Sequence, residues 1–273
     1  MLFCRLLLTG LTIGGALCGA PSSFEASAQT QSAPAPAPAP AVASIGVEGT
    51  EVVVKLADGR ALRSKDLVGA VLKVRFEGQP ADVRIVAVES DPDDRSGTVW
   101  LHSFEGKQPD GAWKNLCSPG PDGRTQGFPL QGTASGLEFT CSSGAIGKCV
   151  RFGYRPWANG PDGKPLVAQH EACVRMVRGD YGGNEQPWTK DGMSIDLYDT
   201  QGIQKPDMSA TQAFEAGWTP QGAVCVHHIR VKENVTLAQL EERFPRLKGR
   251  TGAICTEDFA RANGAILFNR SKD

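Results

Sequence analysis

The chain has 273 residues, with 29 lysines and arginines against 30 aspartates and glutamates, and 40% of its residues are hydrophobic. A nearly neutral chain with no lysine- or arginine-rich run gives nucleic acid or an anionic membrane surface no electrostatic hold. Its length allows one large domain or two small ones.

The first residues read as an export signal. Arg5 precedes the apolar run LLLTGLTIGGALCGA at 6–20, and Ala26-Ser27-Ala28 places small residues where a signal peptidase reads, so residues 1–28 are expected to be removed. The apolar run is too short for a membrane span of about 20 residues. Leu17 stands before Cys18 where a lipobox has a small residue, which argues against a lipoprotein. Cleavage removes one base (Arg5) and one acid (Glu25), so the charge balance is unchanged. Residues 29–44 follow as a spacer of Ala-Pro repeats, which favour extended polyproline II and build neither core nor ladder.

Residues 45–104 read as an antiparallel β module. GTEVVVKLADGRAL is a hairpin about Ala57–Arg60, and AVLKVRFEG alternates Leu72, Val74 and Phe76 against Val71, Lys73 and Arg75. DVRIVAVES sets Val83, Ile85 and Ala87 on one side, and GTVWLHSF is a fourth strand. Residues 105–136 are dense in Gly and Pro and are expected to be loops holding Cys117. Residues 105–273 as a whole are expected to form a disulfide-stabilised α+β region with two to four short helices, either separate from the β module or continuous with it.

In that region LEFTC is a short strand. SSGAIGKCVRFGYRPW is a short helix with a serine cap and Pro156 as its stop. KPLVAQHEACVRMVRG is a helix with Leu166, His170, Cys173, Val174 and Val177 on one face and Gly179 as its C-cap. GMSIDLYDTQG is a strand. AFEAGWTPQGAVCVHHIRV is a hairpin with Phe214, Ala216 and Trp218 on one face and Thr219–Gly222 as its turn. TLAQLEERFP carries a Thr236/Gln239 capping box, and TEDFARANG and AILFN add a turn of helix and a last strand.

Eight cysteines are present, and six of them, Cys117, Cys141, Cys149, Cys173, Cys225 and Cys255, remain after export. An even number in an exported chain points to disulfides. Without a C-x-x-C spacing no zinc site is expected, and no other metal or cofactor is expected either. Cys173 on an apolar helix face must meet another element, and Cys149 is the nearest. The same local logic pairs Cys117 with Cys141 and Cys225 with Cys255, although spacing alone leaves 15 pairings open.

The motifs LEFTCSSGAIGKCVRFGYRPW, QHEACVRMVRGDYGG, DGMSIDLYD and AFEAGWTPQGAVCVHHIR, spread over residues 137–231, resemble the ADYC domain of exported bacterial proteins. That family is named for an Ala-Asp-Tyr-Cys motif after a Cys-x-Arg-x-x-Arg segment, here Cys173–Arg178. The likeness extends more loosely over 60–130 and the C-terminal segment, and it implies no particular reaction. The chain departs from the motif at Gly179-Asp180-Tyr181-Gly182, where the motif's cysteine is missing. An even remainder favours loss of a disulfide pair over loss of a nucleophile.

Five residues are candidates for a site: Trp157, His170, Asp180, Tyr181 and Trp188. The ordinary reading of Asp180 and Tyr181 is a helix exit, with the carboxylate on nearby amides and the ring over the sheet. The functional reading is a polar pair at a pocket rim. His227 and His228 point to opposite faces of a strand, and Asp191, Asp196 and Asp199 fit no EF-hand spacing. There is no G-x-S-x-G, and S-S-G-A-I-G-K lacks the first glycine of a phosphate loop. The leading expectation is an exported, disulfide-stabilised binding module of the cell envelope, with an envelope glycan or protein as its partner. The alternatives are a hydrolase-like enzyme about His170, Asp180 and Tyr181, or a structural or adhesive surface component. The intact mass of the exported protein should begin at Gln29, and a lipid adduct on Cys18 would overturn the cleavage site.

Overall fold

The computed structural model describes residues 4–5, 40–76, 79–131, 137–209 and 211–272. The cleavage site at 26–28 and residues 29–39 of the spacer lie outside the described residues. Among the described residues are three sheets of antiparallel strands and four α-helices, an α+β fold, and no helix is long and apolar enough to cross a membrane.

The two-residue β1 (Cys4–Arg5), from the segment expected to leave on export, pairs with Phe76 and Arg75. β2 (Val42–Glu48), β3 (Glu51–Leu56) and β4 (Ala61–Arg63) form a small sheet, so the first strand begins inside the expected spacer. The β3–β4 turn has Gly59 at φ 87° and the Asp58 carboxylate on the Arg60 amide at 3.1 Å.

β5 (Val71–Phe76), β6 (Gln79–Ser90), β7 (Trp100–Lys107), β9 (Gly127–Gln131) and β10 (Leu137–Cys141) are neighbours in that order in the large sheet. The short β8 (Trp113–Asn115) pairs with the end of β7. β8 and β9 correct the expectation of loops between 105 and 136. GFPLQ is buried at four of its five positions, so it shows no alternation to read and its glycine and proline suggest a turn. In β6 the expected face holds for Val83 and Ile85, and a bulge between Ile85 and Ala87 then turns Ala87 outward and Val88 onto the core. One face of the sheet buries Val54, Leu72, Ile85 and Phe104, and the other buries Leu101, Phe128, Leu130 and Val150.

α1 (Ala145–Arg151) starts at Gly144 with no side-chain cap and turns away at Gly153 (φ 98°), ahead of the expected Pro156 stop. Its Arg151 holds Asp91, Asp93 and Asp122, tying the helix to the DPDDRSG loop. α2 (Val167–Arg178) ends at Gly179 in the left-handed conformation, φ 60°. α2 lies on a four-stranded sheet of β11 (Ile195–Asp199), β14 (Leu267–Ser271), β12 (Ala213–Thr219) and β13 (Gly222–Val226), in that order. Ala172, Cys173, Met176, Trp218 and Leu267 fill the space between them, with Leu240 of α3 (Leu237–Arg243). α4 (Glu257–Ala262) covers the opposite face, over Tyr198, Val224 and Phe268.

A bulge between Phe214 and Ala216 corrects the expected face of β12: Phe214 packs on the α4 side, while Ala216 and Trp218 face α2. β13 ends at Val226, so His227 and His228 lie beyond the strand rather than on its two faces. Their rings meet Cys255 O and Ser271 Oγ, each at 3.0 Å. Thr236 and Gln239 form the capping box of α3.

Disulfides join Cys117 to Cys141, Cys149 to Cys173 and Cys225 to Cys255, with Cα separations of 5.5, 5.8 and 5.5 Å. The Cys149–Cys173 bond welds α1 to α2, and closing a loop of that span contributes about 3 kcal/mol in the chain-entropy account.

His102 is fully buried in β7. Its Nε2 lies 2.7 Å from Ser64 Oγ and its Nδ1 3.2 Å from Trp100 O, while Ser64 Oγ accepts the Val52 amide at 2.7 Å. All three contacts are satisfied when the Ser64 hydroxyl donates to Nε2 and Nδ1–H donates to the carbonyl, so the ring is neutral. Burial lowers its pKa from 6.5 to about 4, and it lowers that of buried His170 as well. Above pH 6.5 both states are neutral and nothing changes. As pH falls toward 4, the unfolded chain binds protons that the folded chain refuses, so stability is lost. Denaturant unfolding should therefore weaken by roughly 2–3 kcal/mol from His102 alone between pH 7 and 4.5, at about 1.4 kcal/mol per pKa unit. A His102→Asn variant that kept the same pH slope would refute this.

Candidate binding cleft

The exit of α2 is a dense polar clasp. The Asp180 carboxylate, fully buried, accepts the amides of Gly183 (2.8 Å), Asn184 (3.1 Å) and Glu185 (2.8 Å) and the guanidinium of Arg175 (2.6 Å). Tyr181 stacks on Trp218 with ring centroids 5.3 Å apart, and its hydroxyl donates to Glu215 at 2.8 Å. Glu215 also takes Arg230 Nε at 2.8 and 3.0 Å and Asn269 Nδ2 at 2.7 Å, and Asn269 accepts from Trp218 Nε1 at 2.8 Å. Glu215, Arg230, Asn269, Tyr181 and Trp218 are all fully or almost fully buried. Burial, with the Glu215 charge beside it, pushes the Tyr181 phenol well above its ordinary range, so it stays a proton donor.

The five sequence candidates do not converge. Asp180 and Tyr181 are used up in the clasp. His170 is nearly buried, with Nδ1 2.8 Å from Tyr154 O. Trp157 is 39% exposed and lies over Gly49 in the β2–β3 turn. Trp188 is half-buried against α3, under the Arg243 guanidinium at 5.3 Å. Asp196 meets Arg270 and the Asp207 amide, Asp199 takes the Tyr154 hydroxyl at 2.9 Å, and Asp191 is exposed. Among the described residues no group of three or more His, Cys, Asp and Glu is placed to hold a metal ion.

A concave feature among the described residues lies elsewhere, between the large sheet and the C-terminal half. It is a mainly apolar cleft of about 760 Å³, within the usual size of small-molecule sites, and none of the five candidates lines it. From the sheet come Val74, Val83, Phe104 and Phe139, and from the other half Ile146, Met176, Val177 and Ile195. The Cys117–Cys141 disulfide forms part of the wall. The charged lining comprises Lys107, Lys148, Arg178 and Lys190 with Asp82, Glu138 and Asp191. Sequence reasoning missed this cleft because its residues come from segments far apart in the chain and each looks like an ordinary core or surface position. Glu215 was missed because only the bulge turns it inward.

Gly182, where the family motif has cysteine, faces Phe244: a Cβ there would lie 2.2 Å from Phe244 Cζ. Gly182→Ala should therefore displace the ring and destabilise the fold by about 1–3 kcal/mol. In the Phe244→Ala background the same substitution should cost much less, and additive losses in thermal unfolding would contradict this.

The ADYC domain family model matches residues 64–232. No curated protein and no solved structure matches the chain. The matched span holds the whole cleft, α1, α2 and the clasp except Asn269, and leaves out β2, β3, β4, α3, α4 and β14. On that match, which covers more than half of its length, the chain belongs to the ADYC domain family.

Proposed function

We propose that this protein is an exported, disulfide-stabilised binding module of the cell envelope, and that the cleft between the large sheet and α2 receives its ligand. The cleft carries this reading: it is mainly apolar, and its walls belong to well-packed elements on both sides. The signal-like N-terminus supports the envelope location. A hydrolase built on His170, Asp180 and Tyr181 is disfavoured, since all three are buried and engaged in internal hydrogen bonds. The aliphatic and phenylalanine lining suits an apolar ligand better than a glycan, which favours exposed tryptophan or tyrosine platforms.

The test is a thermal-shift screen of the mature protein against apolar small molecules, envelope glycans and peptides. A true ligand at 100 times its Kd adds about 2.7 kcal/mol of stability, which raises Tm by several degrees for a domain of this size. Apolar small molecules should give the shift, and Ala145→Trp, which adds a bulky ring to the cleft lining, should abolish it. Stabilisation by glycans alone, or a shift unaffected by Ala145→Trp, would overturn the reading.

A further inference from the structure

We propose that the cleft takes a small amphipathic anion, with its apolar chain along the sheet and helix walls and its oxyanion head on Arg178. This deepens the binding-module reading and rests on it. The ground is a charge imbalance in the lining. Among the described residues, Lys107, Lys148, Arg178 and Lys190 make no side-chain hydrogen bond or salt bridge. Of the acids, Asp82 is held by Lys73 at 2.8 Å, which leaves Glu138 and Asp191 against four free cations. An apolar cleft that also presents surplus positive charge is complementary to a molecule with a long apolar body and a negative end.

Arg178 is singled out by its surroundings. The neighbouring arginines are all engaged: Arg175 with Asp180 and Pro220 O, Arg246 with Tyr181 O and Ala223 O, and Arg230 with Glu215. Arg178 is half-buried, and its Nε is shut off from water with no partner. Burial pulls its pKa below the usual arginine value. The charge of Glu185 acts against that shift, that of Arg175 adds to it, and that of Asp180 opposes it. None of these carboxylates supplies an acceptor: Asp180 is filled by Arg175 and three amides, and Glu185 makes no bond to Arg178. A half-buried guanidinium to which no carboxylate is bonded is a ready partner for an oxyanion entering the cleft, which would take charge-assisted hydrogen bonds from its terminal Nη groups rather than from the enclosed Nε. The geometry is set from below. Gly179 ends α2 at Arg178, and the Asp180 clasp behind it holds the exit turn in one conformation.

A fatty carboxylate and a single-chain phosphate present the same head chemistry, so both enter the test. The mature protein is titrated calorimetrically with dodecanoate, dodecyl phosphate, dodecanol and dodecyltrimethylammonium. Either or both oxyanions should bind at least tenfold more tightly than the alcohol, and the ammonium compound more weakly still. Arg178→Met should erase the preference, weakening the anions about tenfold while the alcohol stays within twofold. Raised salt should narrow the gap in the unsubstituted protein, which keeps the proposal testable should the variant fold poorly. Equal binding of anion and alcohol would overturn the anion assignment while leaving the cleft as a binding site. Failure of all four probes to bind would overturn both. Tighter binding to a chain that starts at Pro40 than to one that starts at Gln29 would make the spacer the cleft's occupant, and would also overturn the assignment.

Discussion

The C-terminal half is organised about one ion pair, Glu215 with Arg230, neither of which reaches water to any useful extent. Two charges so deeply buried depend on the hydrogen bonds around them, and stripping one partner from such a pair typically costs about 3–5 kcal/mol. Here the carboxylate is satisfied from three stretches of chain besides its own, while Arg230 Nη1 is left without a partner. Glu215 sits on β12, Arg230 follows β13, Asn269 sits on β14 and Tyr181 sits at the exit of α2. Satisfying one carboxylate thus fixes the position of α2 on its sheet. Because Arg178 is the last residue of α2, the same constraint fixes one wall of the cleft.

The helices could not do this alone. α1 and α3 have seven residues each, below the length at which isolated helices hold together in water. α1 is secured by its disulfide to α2 and by Arg151 on the DPDDRSG loop, and α3 by its capping box and by Leu240 in the core. The two main cores, one inside the large sheet and one under α2, are packed separately. The cleft lies along the seam between them, where the apolar side chains of each half meet a space neither core fills.

Where hydrophobic period and turn chemistry agree, the fold was legible: the β3–β4 hairpin, α2 with Gly179, the capping box of α3, and the burial of Leu72 and Val74. Joining each cysteine to its next neighbour also describes the bonds in the structure, since each pair spans a short excursion of chain that returns on itself. Legibility ended at bulges and at doubly buried strands. A single extra residue in β6 and in β12 reverses the faces of Ala87 and Phe214, and no period announces it. β9 reads as a loop because it is buried on both sides. Asp180 and Tyr181 were placed in their ordinary roles at a helix exit, but their partners Glu215 and Asn269 come from strands that adjoin them only in three dimensions. The cleft has no local signature at all.

The pairing of Gly182 with Phe244 limits which substitutions the chain accepts. The glycine lies inside the matched span and the phenylalanine outside it, and the ring occupies the room that a side chain at 182 would need. Regaining the cysteine of the family motif would require the ring to leave first, and losing the ring first would open a void under the clasp. Each step is unfavourable until the other has been taken. The two positions are therefore coupled: a side chain at 182 and the Phe244 ring compete for one space, so what either position can accept is decided by the other.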